Sequence, residues 1–119
     1  MSTDPKQASG AAKAPLHLLP PAPMALAAAV LQTGADKYGA WNWRTTGVSI
    51  MTYVAAIRRH LDALVDGPLE DPESSLPHLA HIAASAAIVL DAQAHGTLTD
   101  DRPPSIHRDT KNAHDAERR

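Results

Sequence analysis

The chain of 119 residues contains neither cysteine nor phenylalanine, and it has only two tryptophans and two tyrosines. The lack of cysteine excludes disulfide bonds, thiolate zinc sites and a cysteine nucleophile, and it leaves the redox compartment undetermined. The scarcity of aromatic residues leaves a core built mainly from Ala, Val, Leu and Ile, which lets helices approach closely but buries little area per residue. At this length we expect one domain.

Strong net charge and long apolar runs are also missing. A formal net charge of -2 at pH 7 provides no electrostatic attraction to nucleic acid or to an anionic membrane. The apolar runs are far shorter than the roughly 18 residues that a membrane helix needs, and the N-terminus has no hydrophobic signal core. We therefore expect a cytoplasmic protein whose partners include neither a nucleic acid polymer nor a membrane.

Helix-forming segments occupy the middle of the chain. The first helix is predicted to take Pro23 in its first turn and to stop at Gly34. A second is predicted over about residues 49–65, and a third starts from a cap at Ser74 or Ser75. No segment shows strand-like alternation of useful length, so the predicted fold class is all-α.

The two ends of the sequence differ from its middle. Residues 1–14 have no apolar period and are predicted to be a disordered leader. Residues 15–95 carry the helical segments and form the predicted domain. Residues 96–119, with adjacent prolines and mixed charges, are predicted to be a flexible or loosely packed tail.

Acidic residues and histidines are concentrated around the turn between the second and third helices. The acids are Asp66, Glu70, Asp71 and Glu73, and the histidines are His60, His78 and His81. Divalent cations prefer oxygen ligands and bridge carboxylates to phosphate oxygens. Such a cation neutralises a polyphosphate and lowers the pKa of a bound water, which then attacks phosphorus. The pattern predicts a small metal-dependent hydrolase.

Each of these residues also has a purely structural interpretation. Asp71 and Glu73 suit a helix N-terminus, where negative charge interacts favourably with the helix dipole. A single histidine beside an apolar stripe, such as His60, is often only partly buried, and His78 with His81 is compatible with a polar helix face. The residues alone leave both interpretations open.

A loop rich in aromatic and cationic side chains follows the first predicted helix. Its residues are Lys37, Tyr38, Trp41, Asn42, Trp43 and Arg44. This mixture suits a lid packed over the helices, and it suits equally a surface that stacks on a base and holds phosphate oxygens.

Several short motifs, taken in order, carry a resemblance to a known family. They are Leu18-Leu19-Pro20-Pro21, Gly34-Ala35-Asp36-Lys37-Tyr38-Gly39 with Asn42-Trp43-Arg44, Arg59-His60-Leu61, Asp71-Pro72-Glu73-Ser74 and Pro77-His78-Leu79-Ala80-His81. Over about residues 14–92 the chain resembles the phage-type dATP/dGTP diphosphohydrolases. These are MazG-like all-α nucleotide pyrophosphohydrolases, and they include the MazZ proteins.

The resemblance implies a small MazG-like helical bundle that is completed by forming a homo-dimer or homo-tetramer. It implies dependence on Mg²⁺ or Mn²⁺ and hydrolysis of a purine deoxynucleoside triphosphate, dGTP or dATP, to monophosphate and pyrophosphate.

The chemistry of the residue types predicts a role for each candidate site residue. The predicted metal ligands are Asp71 and Glu73, followed by Glu70 and Asp66. The predicted catalytic histidines, as ligands, proton relay or phosphate donors, are His60, His78 and His81. The predicted substrate-binding residues are Lys37 and Arg44 for phosphate, Trp41, Trp43 or Tyr38 for stacking, and Asn42 for a base or ribose edge.

Two non-catalytic alternatives remain open. MazG-type enzymes usually hold metal with paired Glu-x-x-Glu and Glu-x-x-Asp helices, which this chain lacks. An oligomeric helical scaffold that lost the chemistry fits that departure. A nucleotide-binding accessory protein or sensor would use the same pocket without turnover.

Overall fold

A computed structural model describes residues 4–108 of the chain. Its elements, in chain order, are α1 (Pro5–Ala11), a 3-10 turn (Leu16–Leu18), α2 (Pro21–Tyr38), α3 (Asn42–Thr45), β1 (Val48–Ser49), α4 (Ile50–Asp66), α5 (His78–Ala94) and β2 (Leu98–Thr99). The predicted all-α class is confirmed. None of the helices between residues 4 and 108 combines the length and the apolar character that crossing a bilayer requires.

Helix α5 is the central element and packs against α4, α2 and α3. The buried apolar residues in the described part of the chain are Ala27, Trp43, Ala80, Ala84 and Ala92. Alanine is short, so neighbouring helices approach closely, but each alanine buries little apolar area. Large apolar side chains such as Val65 and Leu90 remain exposed. The interior is therefore small, and α5 provides most of it.

The predicted end of the first helix is wrong. Helix α2 continues through Gly34 and ends at Tyr38, where Gly39 adopts a φ of 90°. Glycine inside a helix costs only about 1 kcal/mol relative to alanine, which the packing of α2 on α5 offsets. As a result Lys37 and Tyr38 lie on the last turn of a helix rather than in a loop.

The predicted start of the third helix is also wrong. Helix α5 begins at His78 after Pro77 as its N-cap, and neither serine caps it. Ser74 instead accepts a hydrogen bond from the backbone N–H of Leu76 at 3.2 Å. Ser75 adopts a left-handed conformation with a φ of 61°. The two serines therefore shape the turn before the helix.

The strands β1 and β2 pair in parallel and connect the chain after α5 to the start of α4. Gly47, with a φ of 76°, precedes β1 at the point of closest approach. A Cβ at this position would lie 2.9 Å from the carbonyl oxygen of Thr97, so only glycine fits. The short sheet fixes the end of α5 against the start of α4.

At the N-terminal end of the described range, residues 5–11 form α1, whose side chains are all exposed. The division into a leader, a domain and a tail stays a prediction. Residues 1–3 of that leader and residues 109–119 of that tail lie outside the described residues.

Candidate active site

The turn between α4 and α5 is shaped by hydrogen bonds that converge on Asp71. Its backbone N–H donates to the carbonyl of Leu76 at 2.8 Å, and its carbonyl accepts from the N–H of Ser75 at 2.7 Å. One carboxylate oxygen, Oδ1, accepts from the N–H of Glu73 at 2.8 Å. The other oxygen, Oδ2, faces two imidazole rings. The turn thus holds the carboxylate in place and leaves one oxygen available.

His60 from α4, Asp71 from the turn, and His78 and His81 from α5 form a group that we call the His–Asp cluster. Oδ2 of Asp71 lies 4.0 Å from Nδ1 of His60 and 3.8 Å from Nε2 of His81. Both distances are too long for hydrogen bonds. The rings of His60 and His81 stack with centroids 4.5 Å apart and planes 9° from parallel. Potential ligand atoms of His60, Asp71 and His81 all lie within 4.8 Å of one another.

Polar neighbours hold the imidazole rings of the His–Asp cluster. Nδ1 of His60 lies 2.9 Å from Nδ1 of the buried His78, so one of these nitrogens donates and the other accepts. Nε2 of His81 is 2.7 Å from the hydroxyl of Ser74. Burial, followed by the proximity of His81, lowers the pKa of His60. His60 is thereby held as the neutral imidazole, which is the form that binds metal ions and accepts protons.

The other predicted carboxylates lie apart from this cluster. Glu73 is exposed and its carboxylate is 4.0 Å from the ammonium of Lys37. Glu70 is exposed and its backbone pairs with Pro77. Asp66 is the exposed last residue of α4. Among residues 4–108, the group with ligand atoms close enough to share a metal consists of His60, Asp71 and His81.

A second group, the Asp91 cluster (Trp41, Trp43, Arg44 and Asp91), attaches the segment around α3 to α5. Oδ2 of Asp91 accepts from Nε1 of Trp43 and from Nε of Arg44, both at 2.7 Å. Oδ1 accepts from the terminal NH2 of Arg44 at 2.9 Å. The guanidinium of Arg44 also lies 4.3 Å from the ring centroid of Trp41. These contacts fix both tryptophans relative to α5.

The hydrogen bonds in the Asp91 cluster change the protonation behaviour of its members. Donation from Arg44, and then from Trp43, holds the pKa of Asp91 well below its ordinary value. The same hydrogen bond raises the pKa of Arg44. The two side chains are therefore a charged pair at any pH near neutrality.

A cleft of about 210 Å³ lies between α2, α3, α4 and α5. Polar and aromatic residues in its lining are Lys37, Tyr38, Asn42, Trp43, Tyr53 and His81. Burial raises the pKa of Tyr53, so its phenol stays protonated near neutral pH and can donate a hydrogen bond. His81 belongs to the cleft and to the His–Asp cluster at once, so the cleft opens onto the cluster.

The structure divides the predicted site residues into three sets, one of which is the exposed carboxylates Asp66, Glu70 and Glu73 that lie apart from the cluster. Those brought together around the cleft or the His–Asp cluster are His60, Asp71, His78, His81, Lys37, Tyr38, Asn42 and Trp43. Arg44 and Trp41 belong to the Asp91 cluster instead. A phosphate at Arg44 would have to compete with a bidentate carboxylate.

Sequence reasoning missed Asp91, Ser74 as a partner of His81, and Tyr53 as a cleft residue. Asp91 is 47 positions from Arg44, and no local spacing connects them. The signal for Ser74 was present, since the hydroxyl lies seven positions before His81, but a helix cap was the simpler interpretation.

Comparison with known proteins gives two matches. The family model described as "dATP/dGTP diphosphohydrolase, N-terminal" matches residues 3–102. The chain is also 34% identical over 90 residues to a protein named dATP/dGTP diphosphohydrolase from Salmonella phage PMBT28. That alignment covers 76% of this chain and 30% of the relative, so the chain spans less than a third of the relative's length. No solved structure matches.

Proposed function

Because the chain belongs to the dATP/dGTP diphosphohydrolase family, we propose that it hydrolyses a purine deoxynucleoside triphosphate to the monophosphate and pyrophosphate. The supporting observation is the position of His81, which lines the cleft and also belongs to the His–Asp cluster. A substrate in the cleft therefore lies next to potential metal ligands and proton acceptors. We place this reaction in the cytoplasm of an infected host, a proposal that the phage origin of the relative supports.

The cleft supplies the binding contacts in this proposal. Its volume of about 210 Å³ suits a nucleobase, with Trp43 and Tyr38 providing aromatic faces for stacking. Asn42 offers an amide that can both donate to and accept from a base or ribose edge. Lys37, on the last turn of α2, is half-exposed and lines the cleft, so its ammonium is available to bind a polyphosphate.

A divalent cation fits the His–Asp cluster at Asp71. The fit rests on Oδ2 of Asp71, which has two nearby imidazoles and no hydrogen bond to either. When bound, Mg²⁺ or Mn²⁺ supplies charge neutralisation for the polyphosphate and acidifies a water molecule. Asp71 would hold the cation together with the rings of His60 and His81, and His78, 2.9 Å from Nδ1 of His60, would accept a proton. The carboxylate of Glu73 lies 4.0 Å from the ammonium of Lys37, which lines the cleft.

Arg44 has a positioning role in this proposal. Its guanidinium is held by both oxygens of Asp91, so it fixes the orientation of Trp43 and Asn42 rather than a phosphate. Trp41 covers the guanidinium from one side. The wall of the cleft is thereby preorganised for substrate.

Product analysis tests the activity directly. The untagged chain is incubated with dGTP, dATP, GTP and ATP in turn, with Mg²⁺ or Mn²⁺, and the products are separated by ion-exchange chromatography. We expect deoxynucleoside monophosphate and pyrophosphate in equal amounts. Release of inorganic phosphate together with a nucleoside diphosphate would overturn the proposal. So would the absence of turnover with any of the four triphosphates.

Self-association is part of the proposed function. Val65 is 78% exposed and Leu90 is 65% exposed, while the described part of the chain buries mainly alanines. A symmetric homo-dimer or homo-tetramer would cover these side chains. Light scattering at micromolar concentration should give a mass of at least two chains, and a stable, active monomer would contradict this.

A nucleotide-binding accessory role is the second candidate. It is favoured by the alignment, which covers only 30% of the relative, because catalysis by a longer protein can depend on segments that this chain does not contain. Binding of dGTP or dATP by calorimetry, without turnover in the product assay, would support this candidate over the hydrolase.

A further inference from the structure

We infer that His60, Asp71 and His81 form a site for one divalent cation of the Mn²⁺, Co²⁺ or Zn²⁺ class, which binds without nucleotide and in preference to Mg²⁺. The role of this ion in hydrolysis rests on the proposed function, whereas its binding is a property of the three side chains alone.

The spacing of the three groups indicates a ligand site rather than an ion pair. A structural Asp–His pair closes to hydrogen-bond distance, about 2.7–2.9 Å. Here Oδ2 of Asp71 stays 4.0 Å from one imidazole nitrogen and 3.8 Å from the other. Groups that bind a common ion stand apart from one another by this kind of distance, since each lies about 2.0–2.2 Å from the metal.

The N–H of Glu73 holds Oδ1 of Asp71 and leaves Oδ2 facing the rings. The ring nitrogens nearest Oδ2, Nδ1 of His60 and Nε2 of His81, contact His78 and the hydroxyl of Ser74. An ion bound between the rings would displace both contacts. The stacked imidazole planes, 9° from parallel, have to rotate apart for both rings to point at one ion.

The donor set determines the class of metal. Two imidazole nitrogens and one carboxylate oxygen suit Mn²⁺, Fe²⁺, Co²⁺ and Zn²⁺, and affinity rises along that series. Mg²⁺ prefers oxygen ligands and retains its waters. The carboxylates that would make an oxygen-rich site, Glu73, Glu70 and Asp66, lie outside this group of ligand atoms. Mg²⁺ therefore has only one protein carboxylate to bind here.

A second His–carboxylate pair in the same chain provides the contrast. Nδ1 of His95 lies 3.5 Å from Oδ1 of Asp91. Both oxygens of Asp91 already accept hydrogen bonds from Arg44, and one also accepts from Trp43. His95 is therefore a matched control, since it faces a carboxylate that has no oxygen to spare for a metal.

The test is metal binding by the untagged full-length chain after chelator treatment, with no nucleotide present. Equilibrium dialysis with Mn²⁺, Co²⁺, Zn²⁺ and Mg²⁺ gives affinities and stoichiometry, and the visible spectrum of bound Co²⁺ reports nitrogen and oxygen ligation. The variants are Asp71→Asn, His81→Gln and His95→Gln, each checked for helicity by circular dichroism. Histidine ring resonances in NMR spectra report whether the rings of the unsubstituted chain respond to Zn²⁺.

We expect about one Mn²⁺, Co²⁺ or Zn²⁺ per chain, bound at least tenfold more tightly than Mg²⁺. Asp71→Asn and His81→Gln should each weaken binding at least tenfold, and His95→Gln should not. Equal or tighter binding of Mg²⁺, no binding by the unsubstituted chain, or equal losses in all three variants would overturn the inference. Binding without turnover in the product assay would overturn the proposed function and leave this site standing.

Discussion

Two carboxylates of the chain have different surroundings: Asp71 lies in the turn before α5, and Asp91 lies near the C-terminal end of α5. Asp91 accepts from Trp43 and Arg44 at 2.7–2.9 Å, with both oxygens engaged. Asp71 has one oxygen held by a backbone N–H, while the other lies 4.0 Å from His60 and 3.8 Å from His81, beyond hydrogen-bond distance. Because both of its oxygens accept hydrogen bonds, Asp91 anchors α3 to α5. Because one of its oxygens accepts none from the histidines, Asp71 is a candidate metal ligand.

Residue type and exposure do not distinguish the structural aspartate from the candidate metal ligand. Both carboxylates are about equally shielded, with side chains 27% and 18% exposed. Both also face a cation or a potential cation. What distinguishes them is the number of protein donors that each already has.

The largest expected effect is on turnover of the proposed reaction. Asp71→Asn keeps an oxygen that can accept from the N–H of Glu73 but removes the charge that a cation needs. We expect a loss of at least about 100-fold in kcat/KM with the fold retained. The measurement is pyrophosphate release from dGTP and dATP, together with a circular dichroism melt.

Asp91→Asn is the matched variant for that measurement. It removes one negative charge from the same helix pair at a position with no proposed role in chemistry. A smaller loss of turnover than in Asp71→Asn is expected, because the cleft wall loosens. Equal losses of turnover in the two variants would contradict the different roles of Asp71 and Asp91.

The next effect is on thermal stability and its dependence on acid. Arg44 lowers the pKa of Asp91 in the folded chain, so below about pH 4 the unfolded chain binds more protons at this position. The stabilisation is complete above that pH and is lost as the pH falls further. Asp91→Asn should lower Tm at pH 7, and the difference from the unsubstituted chain should shrink below about pH 4. A Tm difference that does not change with pH would contradict the charged pair.

A smaller effect on the pH dependence of stability is expected at His60, where the cause is burial rather than a charged partner. Burial lowers its pKa, so between its folded value and about 6.5 the unfolded chain carries more protons. The metal-free chain should therefore lose stability as the pH falls from 7 to 5. His60→Gln should make Tm less dependent on pH over this range, whereas His95→Gln, outside the His–Asp cluster, serves as the control. An equal dependence of Tm on pH in the two variants would contradict a lowered pKa of His60.

The smallest effect is expected from Ser74→Ala. The hydroxyl of Ser74 contacts His81 at 2.7 Å and accepts from the N–H of Leu76 at 3.2 Å. Losing these bonds should lower the free energy of unfolding by about 1 kcal/mol. Urea denaturation measures the change, with Ser85→Ala on the next turn of α5 as the control. No difference between the two variants would mean that Ser74 does not hold the ring.

The sequence predicted the all-α class and the elements that carry the His–Asp cluster. Apolar spacing along α4 and α5 is a local signal, and a short acidic turn brings the two helices together as an antiparallel pair. His60 and His78 consequently meet, at 2.9 Å. The assignment of catalytic, metal-binding and substrate-binding roles to particular residues remains a prediction until the variants are measured.

The missed features depend on contacts that no local pattern encodes. Arg44 binds Asp91 across 47 positions, and the guanidinium could equally have faced a phosphate. Gly34 continues a helix because α2 packs on α5, and the stop signal of an isolated glycine is weaker than that packing. Ser74 had several partners within reach, and the turn geometry selected Leu76 and His81.

The small alanine interior gives the ligand geometry a further consequence. His60, Asp71 and His81 come from the end of one helix, a turn and the start of the next, so an ion held by all three ties these segments together as a removable cross-link. In a chain without cysteine that tie would take the place of a disulfide. It would add stability in proportion to the logarithm of the free metal concentration, so the metal content of the surrounding solution would set how firmly the helix pair is closed.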